Sequence, residues 1–305
     1  MPHRLRPAQL VPAVLVMIAA IGGCSASASP ASDRPAPAGR TTAAARLSHA
    51  LPQDPVPMVL PATGADSRLT VGLGTFGQTV GAAVTARCTS DAGHPPPPGP
   101  PPMFVRLGAL PDLDLLERTG FNGGPSPELP SVLRTSAPPA EPGADGNGHG
   151  DSDRVVRRCA SAGTAAVRAL DALSSPLQGK WWNELETLRD QPQARHALAK
   201  VPKCLDHRHN LRVNSEDDFF ALVDSRLADH ADDAAALVRE DRELAAVYAD
   251  CMRPVEAVRE PLRKKLRERF VAENSREIAS LRAELGPVVR ELEKRHGVRI
   301  SFPAL

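Results

Sequence analysis

Apolar residues recur at every third or fourth position through most of the second half of the chain, the spacing of one face of an α-helix. The longest of these stripes runs from Val255 to Leu292, and its gap falls at Asn274. Shorter stripes predict helices over about 66–91, 112–118, 153–174, 177–189, 192–206, from 215, and over about 233–253. The pattern therefore predicts an all-α protein.

Prolines interrupt this pattern at several points. Ser175-Pro176 predicts a break between two helices, because proline lacks a backbone N–H and its ring clashes with the preceding turn. Pro254, Pro261 and Pro287 predict kinks or interruptions in the last stripe. The imperfect heptad spacing favours the spine of a bundle over a projecting coiled-coil arm. We expect a helical bundle with a long, kinked C-terminal helix.

Other stretches have no helical period and divide the chain into parts. Residues 24–65 are rich in Ser, Ala and Pro and predict a disordered tether. Residues 66–121 predict a first helical segment, which includes a polyproline spacer at His94–Pro102. Residues 122–152 predict a disordered Pro/Gly/Asp loop, 153–297 the main helical domain, and 298–305 a tail.

The first 23 residues have the composition of a signal peptide. Arg4 and Arg6 precede an apolar run from Leu10 that is too short for a stable membrane anchor. Ile21-Gly22-Gly23-Cys24 resembles the bacterial lipobox, which implies cleavage before Cys24 and a lipid on its sulfur. An ordinary signal peptide with an incidental cysteine is the alternative. We expect an extracytoplasmic protein, lipid-anchored at the outer face of the cell membrane.

The charge composition limits the classes of partner that the chain is expected to bind. The chain holds 37 Lys and Arg against 36 Asp and Glu, and loss of Arg4 and Arg6 brings the net charge near −1. A balanced charge gives no general attraction to nucleic acid. The expected contact with the membrane is therefore the lipid on Cys24.

Four cysteines remain for the folded part: Cys88, Cys159, Cys204 and Cys251. An even number outside the cytoplasm predicts two disulfides, and the absence of a C-x-x-C pair argues against a zinc knuckle. Three connectivities are open, and sequential pairing, Cys88–Cys159 and Cys204–Cys251, suits successive helical hairpins. These disulfides would also remove the thiolate from a metal site at Cys204, His207 and His209. We expect no metal and no cofactor.

A second metal-like pattern lies in the acidic stretch Asp145–Asp153. Its spacing matches part of a calcium loop, but Val156 stands where a bidentate Glu is needed, and APPAEPG before it cannot form the entering helix. An acidic loop that ends by capping the next helix is the better interpretation.

Three aromatic residues are candidates for binding. Adjacent Trp181 and Trp182 cannot point the same way on a helix, so we expect one ring in the core and the other at an edge. Core packing is the simpler interpretation. The alternative is a ligand or partner surface formed by Trp181, Trp182 and Tyr248. The sequence contains no G-x-S-x-G or H-E-x-x-H motif and predicts no catalytic residue.

The Trp-containing helix is followed by Lys203-Cys204-Leu205, and by Tyr248–Met252 leading into a long charged helix. This order resembles a loose group of uncharacterised actinobacterial cell-surface lipoproteins, over roughly 150–297. The resemblance implies an envelope protein that accompanies an export or other envelope system. It implies no enzymatic reaction. We expect a non-catalytic lipoprotein that binds another envelope protein. The alternatives are a small-ligand capture lipoprotein and, more remotely, a cell-wall hydrolase.

Overall fold

A computed structural model describes residues 47–96, 110–121 and 149–304 of the chain. The predicted signal peptide 1–23, Cys24 and the first part of the predicted tether lie outside the described residues. So do most of the polyproline spacer and residues 122–148, which include the start of the calcium-like stretch.

The described chain is almost entirely helical, which confirms the predicted all-α class. In chain order the helices are α1 Val56–Val59, α2 Gly64–Asp91, α3 Leu113–Thr119, α4 His149–Arg189, α5 Pro192–Leu198, α6 Val201–His209, α7 Glu216–Ala228, α8 Ala234–Glu273 and α9 Ser275–His296. Two short strands, β1 Leu47–Ser48 and β2 Phe302–Pro303, pair antiparallel.

One hydrophobic core lies among α1, α2, α4, α9 and the last part of α8. The helices α2 and α4 run antiparallel and close together, with Gly81 against Gly163 and Gly77 against Leu170. The glycines of α2 thus leave room for α4 to pack at close range. The largest fully buried side chains of this core are those of Trp181, Met58, Leu60, Ile278, Leu281, Leu285, Ile300 and Val59.

A second core lies among α3, α6, α7 and the first part of α8, with α5 packed at its edge. Its centre is aromatic, with ring contacts among Phe121, Phe219, Phe220 and Tyr248 at centroid distances of 5.3–6.3 Å. Ser215 caps α7 by accepting a hydrogen bond from the Asp218 N–H, and Asp233 caps α8. Ser and Asp are among the preferred N-cap residues because their side-chain oxygens accept from the free N–H groups of the first turn.

Helix α8 belongs to both cores. Its 40 residues form a rod of about 60 Å at 1.5 Å per residue. Met252 is buried in the second core and Phe270 in the first. Pro254 and Pro261 lie inside the helix, so of the predicted kinks or interruptions, an interruption is wrong at both positions. Buried side chains on both sides of the prolines hold the helical path despite the lost hydrogen bonds. The gap in the apolar stripe at Asn274 coincides with the junction of α8 and α9, so the stripe that predicted one long C-terminal helix spans parts of two helices.

Other helix boundaries also differ from the sequence prediction. Helix α4 continues through Pro176, because Leu170 and Leu177 on either side are buried in the same core. Pro287 likewise lies inside α9. Conversely, the single helix predicted over about 192–206 is two helices, α5 and α6, and Pro202 begins the second within its first turn.

Both chain ends of the described fold pack into the first core, which corrects two predictions. Residues 47–65 are not part of a disordered tether: Met58, Val59 and Leu60 are fully buried. The predicted tail is packed over its described residues, 298–304: Val298, Ile300 and Phe302 are buried. These three residues alternate with exposed or half-buried ones, a two-residue period that a search for helical spacing overlooks.

Two disulfides join the helices. Cys88 on α2 bonds to Cys159 on α4, and Cys204 on α6 bonds to Cys251 on α8, with Cα–Cα distances of 5.4 and 5.7 Å. The predicted sequential pairing is confirmed. Each core therefore carries one covalent cross-link between two of its helices.

Candidate functional site

The two adjacent tryptophans occupy opposite environments. Trp181 is fully buried, its ring packs edge-on against Phe270 at 5.5 Å, and its Nε1–H donates to the Pro61 carbonyl at 2.9 Å. Trp182 has 39% of its surface exposed. The expectation of one ring in the core and one at an edge is confirmed.

Tyr248 is a core residue of the second cluster. It is 1% exposed, and its hydroxyl donates to Glu216 Oε1 at 2.5 Å. Burial, together with the adjacent Glu216 carboxylate, raises the pKa of Tyr248 well above its ordinary value. Trp181 and Tyr248 thus lie in different cores, and the structure does not bring the predicted Trp181, Trp182 and Tyr248 surface together. Trp182 is the member of the set open to a partner.

Trp182 belongs to a continuous stripe along α4. Gln178 lies one turn before it, and the stripe continues back at steps of three or four residues to Val156, whose side chain is 40% exposed. In the described part of the chain, Val156 and Trp182 are the two exposed large hydrophobic residues. They mark the two ends of the stripe, 26 positions apart, or about 39 Å along the helix.

Between these ends the stripe forms one wall of a groove with a volume of about 540 Å³. We call this groove the α4 groove; Val156 and Trp182 do not line it but lie four positions before its first and four after its last α4 residue, Ala160 and Gln178. The α2 wall holds Leu73, Gly74, Gly77, Gln78, Gly81, Ala82 and Thr85; the α4 wall holds Ala160, Gly163, Thr164, Val167, Leu170, Asp171, Ser174, Ser175 and Gln178.

The α4 groove is shallow because its walls are made of small residues. Two of its hydroxyls bond back to the helices: Thr85 Oγ1–H donates to the carbonyls of Gly81 and Cys159, and Ser174 Oγ–H donates to Leu170. These side chains therefore present their carbon atoms rather than free donors. The surface suits an apolar segment that approaches closely more than a small polar ligand.

A second concavity of about 510 Å³ lies where α3 meets the start of α2 and the middle of α8. Its charges are paired within the protein. Arg68 contacts Asp112 at 2.5 Å, and Arg253 bonds Asp114 at 2.8 Å and also contacts Glu117. Burial raises the pKa of Asp112 although Arg68 is adjacent. These ion pairs join α3 to α2 and α8.

A third group surrounds the Cys204–Cys251 disulfide. Ligand atoms of Cys204, Cys251 and Asp250 lie within 4.8 Å of one another. Because the two sulfurs are bonded to each other, they offer no thiolate to a metal. The His209 ring nitrogen lies 3.1 Å from Asp250, and Arg208 donates to the same carboxylate at 2.9 Å. These hydrogen bonds, that of His209 foremost, lower the pKa of Asp250.

Comparison with protein-family models, with curated proteins and with solved structures finds no match to this chain. Among the described helices, none combines the length and the apolar character that crossing a membrane requires. The geometry of the chain's own residues therefore carries the functional argument.

Sequence reasoning singled out Trp182 but missed the rest of the α4 groove. Val156 was discussed at the position where a calcium loop needs a bidentate Glu, and Gly163 was not considered. The available signal was the spacing of Val156, Ala160, Thr164, Val167, Asp171, Ser174, Gln178 and Trp182 at steps of three or four. This stripe is too mixed in polarity to stand out beside the fully apolar core stripe.

Proposed function

We propose that the chain is a lipid-anchored, non-catalytic protein of the cell envelope that binds another envelope protein through the α4 groove. The observation that carries the proposal is the position of Val156 and Trp182. The two exposed large hydrophobic side chains of the described chain lie on one stripe of α4, one turn beyond either end of the α4 lining of the groove.

This arrangement has the character of a protein contact. Exposed tryptophan is enriched among the residues that dominate binding energies at protein interfaces. A surface lined mostly by small residues, about 27 Å long from Ala160 to Gln178 at 1.5 Å per residue, lets the backbone of an elongated partner segment come close. The partner segment that fits is a helix or extended strand with apolar side chains at its two ends.

The alternative of small-ligand capture has less support. It assigned ligand contacts to Trp181, Trp182 and Tyr248, of which two are packed in separate cores. Neither the α4 groove nor the second concavity, where α3 meets α2 and α8, has a tryptophan or tyrosine in its lining. A protein partner uses the exposed indole of Trp182, whereas a ligand platform would need the other two rings as well.

The anchor part of the proposal is tested separately. Cys24 follows a lipobox-like sequence, and the resemblance to surface lipoproteins implies the same attachment. In cells, Cys24→Ala should move the protein from the membrane fraction to the soluble fraction and abolish incorporation of labelled palmitate. Unchanged palmitate labelling in that variant would exclude Cys24 as the lipidated residue.

The binding part is tested by capture of partners from native membranes with tagged, full-length protein. Wild-type protein should enrich a specific envelope protein that Trp182→Ala loses at least tenfold. The matched control is the double change Trp182→Ala/Ala169→Trp, which keeps one exposed tryptophan on α4 but places it off the stripe, at exposed Ala169. We expect this variant to lose the partner as well.

Circular dichroism checks that both variants retain the wild-type helical content. If neither variant, nor Val156→Asp, reduces the captured protein, the α4 groove is not the binding surface. If the moved tryptophan restores capture, the interaction is a general affinity for exposed indole.

A further inference from the structure

Side chains on the helices donate hydrogen bonds to one short stretch of the chain's own backbone, in the way that a binding site holds a peptide. Three successive carbonyls, those of Leu60, Pro61 and Ala62, each accept a hydrogen bond from a side chain distant in sequence. Arg267 Nη1 donates to Leu60 at 3.2 Å, Trp181 Nε1 to Pro61 at 2.9 Å, and Arg263 Nε to Ala62 at 2.9 Å.

The residues just before these carbonyls fill an apolar cleft. Met58, Val59 and Leu60 are fully buried, and Val56 is 3% exposed. They pack among α2, α4 and α9 as part of the first core. We call residues 47–62 the latch segment. Its apolar side chains supply the buried area, while the donors contact only its backbone.

Polar contacts also hold the outer part of the latch segment. A ring nitrogen of His49 lies 2.8 Å from the Ile300 carbonyl, and Arg282 bonds the carboxylate of Asp54 at 3.2 and 3.3 Å. This bidentate contact, together with the Val56 N–H, lowers the pKa of Asp54 against the opposing effect of burial. The segment is thus held along its length by the body.

The donors are positioned by partners other than the latch segment. The Arg263 guanidinium is ion-paired with Glu256, with 3% and 9% of these side chains exposed. Arg267 is paired with Asp66 at 2.7 Å, on the first turn of α2. Each guanidinium would keep its carboxylate if the latch segment left. The cleft is therefore preorganised and does not acquire an unpaired buried charge when empty.

We propose that this cleft is a peptide-binding site and that residues 53–62 are its intramolecular ligand, which the same peptide can replace in trans. The ligand class is a short peptide with a run of bulky apolar residues followed by proline, as in Met58-Val59-Leu60-Pro61. Since none of the three donors lines the α4 groove, this inference is independent of the proposed function.

Release of the latch segment would have a large geometric effect. Its 16 residues span roughly 50 Å when extended, at about 3.3 Å per residue. A competing peptide would therefore both occupy the cleft and lengthen the chain that precedes Thr63.

The test is complementation of the full-length chain. Met58→Asp places a charge in a fully buried position and should expel the latch segment while leaving the cleft intact. A fluorescent peptide of residues 53–64 is added, and its anisotropy is measured. We expect saturable binding to Met58→Asp at least tenfold tighter than to wild type, whose cleft is occupied.

Two controls make the result specific. The same peptide with Asp in place of its Met58 should not bind. Adding Arg267→Ala to the Met58→Asp chain should weaken binding at least fivefold, because one carbonyl donor is lost. No binding to a Met58→Asp chain with wild-type helical content would overturn the proposal.

Amide hydrogen exchange of the wild-type chain gives an answer even if Met58→Asp fails to fold. A displaceable segment detaches while the rest of the protein stays folded. Amides of Met58–Leu60 should therefore exchange at least 100-fold faster than those of Leu73–Val80 in α2. Equal rates in the two stretches would mean that the latch segment leaves only on global unfolding, which also overturns the proposal.

Discussion

Arg263 and Glu256 form an ion pair inside the protein, two turns apart on α8, with side chains 3% and 9% exposed. Removing one partner leaves a buried charge without full compensation, which costs about 3–5 kcal/mol in folded proteins. We therefore expect Arg263→Met to lower the free energy of unfolding by about that amount, as measured by urea denaturation.

The control for this prediction is an exposed pair. Arg295 and Glu291 contact at 2.7 Å on the surface of α9, with side chains 62% and 55% exposed. Exposed pairs contribute about 0–1 kcal/mol, so Arg295→Met should change stability by less than 1 kcal/mol. Equal effects of the two substitutions would contradict a special role for the buried pair.

Gly163 marks the closest approach of α2 and α4. A Cβ at this position would lie 2.5 Å from the Gly81 carbonyl oxygen and would also clash with Thr85 Oγ1. Since both neighbours belong to the facing helix, Gly163→Ala should separate the helices and cost about 1–3 kcal/mol.

Gly179 lies on the same helix with nothing within 4 Å of a Cβ. Gly179→Ala should therefore stabilise the protein by up to about 1 kcal/mol through helix propensity alone. Thermal unfolding of the two variants should show shifts of opposite sign. A fall in the melting temperature of Gly179→Ala would show that its surroundings are not open.

The two disulfides close loops with sequence separations of 71 and 47 residues. In the chain-entropy model each contributes about 4 kcal/mol. Replacing either pair by alanine should lower the free energy of unfolding by roughly this amount. Peptide mapping without reductant should give the Cys88–Cys159 and Cys204–Cys251 linkages, and any other pairing would contradict the structure.

Tyr248 is the single tyrosine of the chain, so absorbance at 295 nm reports its ionisation alone. Its pKa is raised in the folded state, chiefly by burial and then by Glu216. The folded protein keeps the phenolic proton above pH 10, whereas the unfolded chain releases it. Stability contributed by this proton is therefore complete below pH 10 and is lost as the pH rises further.

In a titration of the native protein, no tyrosinate absorbance should develop near pH 10, while denatured protein should titrate there. Tyr248→Phe should remove this part of the decline in stability at alkaline pH. A native titration midpoint near 10 would mean that the hydroxyl is accessible to solvent.

Much of the fold could be predicted from local patterns. The all-α class and the sequential pairing of the cysteines follow from helical periodicity and from the even cysteine number. The opposite burial of Trp181 and Trp182 follows from helix geometry alone. In each case the deciding information lies within a few residues or in the cysteine pattern.

The failures share a different cause. Pro176, Pro254 and Pro261 remain inside helices because buried neighbours from distant elements stabilise the path, and local rules contain no such information. The latch segment looks unstructured in the sequence because a two-residue strand and a single helical turn have no period to detect. Its partners, Arg263 and Arg267, are 201 and 207 residues away from the carbonyls that they contact.

The candidate site was only half predictable for the same reason. Exposure of Trp182 could be expected from its neighbour, but the groove beside it exists because Gly81 and Gly163 meet across two helices. The groove forms between α2 and α4, so the sequence of either helix alone does not reveal it.

The pairing of β1 with β2 places Leu47 beside Pro303, so the described fold begins and ends at the same point. The path of the chain is nearly a closed loop, and a short linker could join these ends without disturbing either core. This makes the protein a candidate for circular permutation. A reporter domain fused at the C-terminus would stand next to Leu47, and proximity labelling from it would report what surrounds the entry point of the chain.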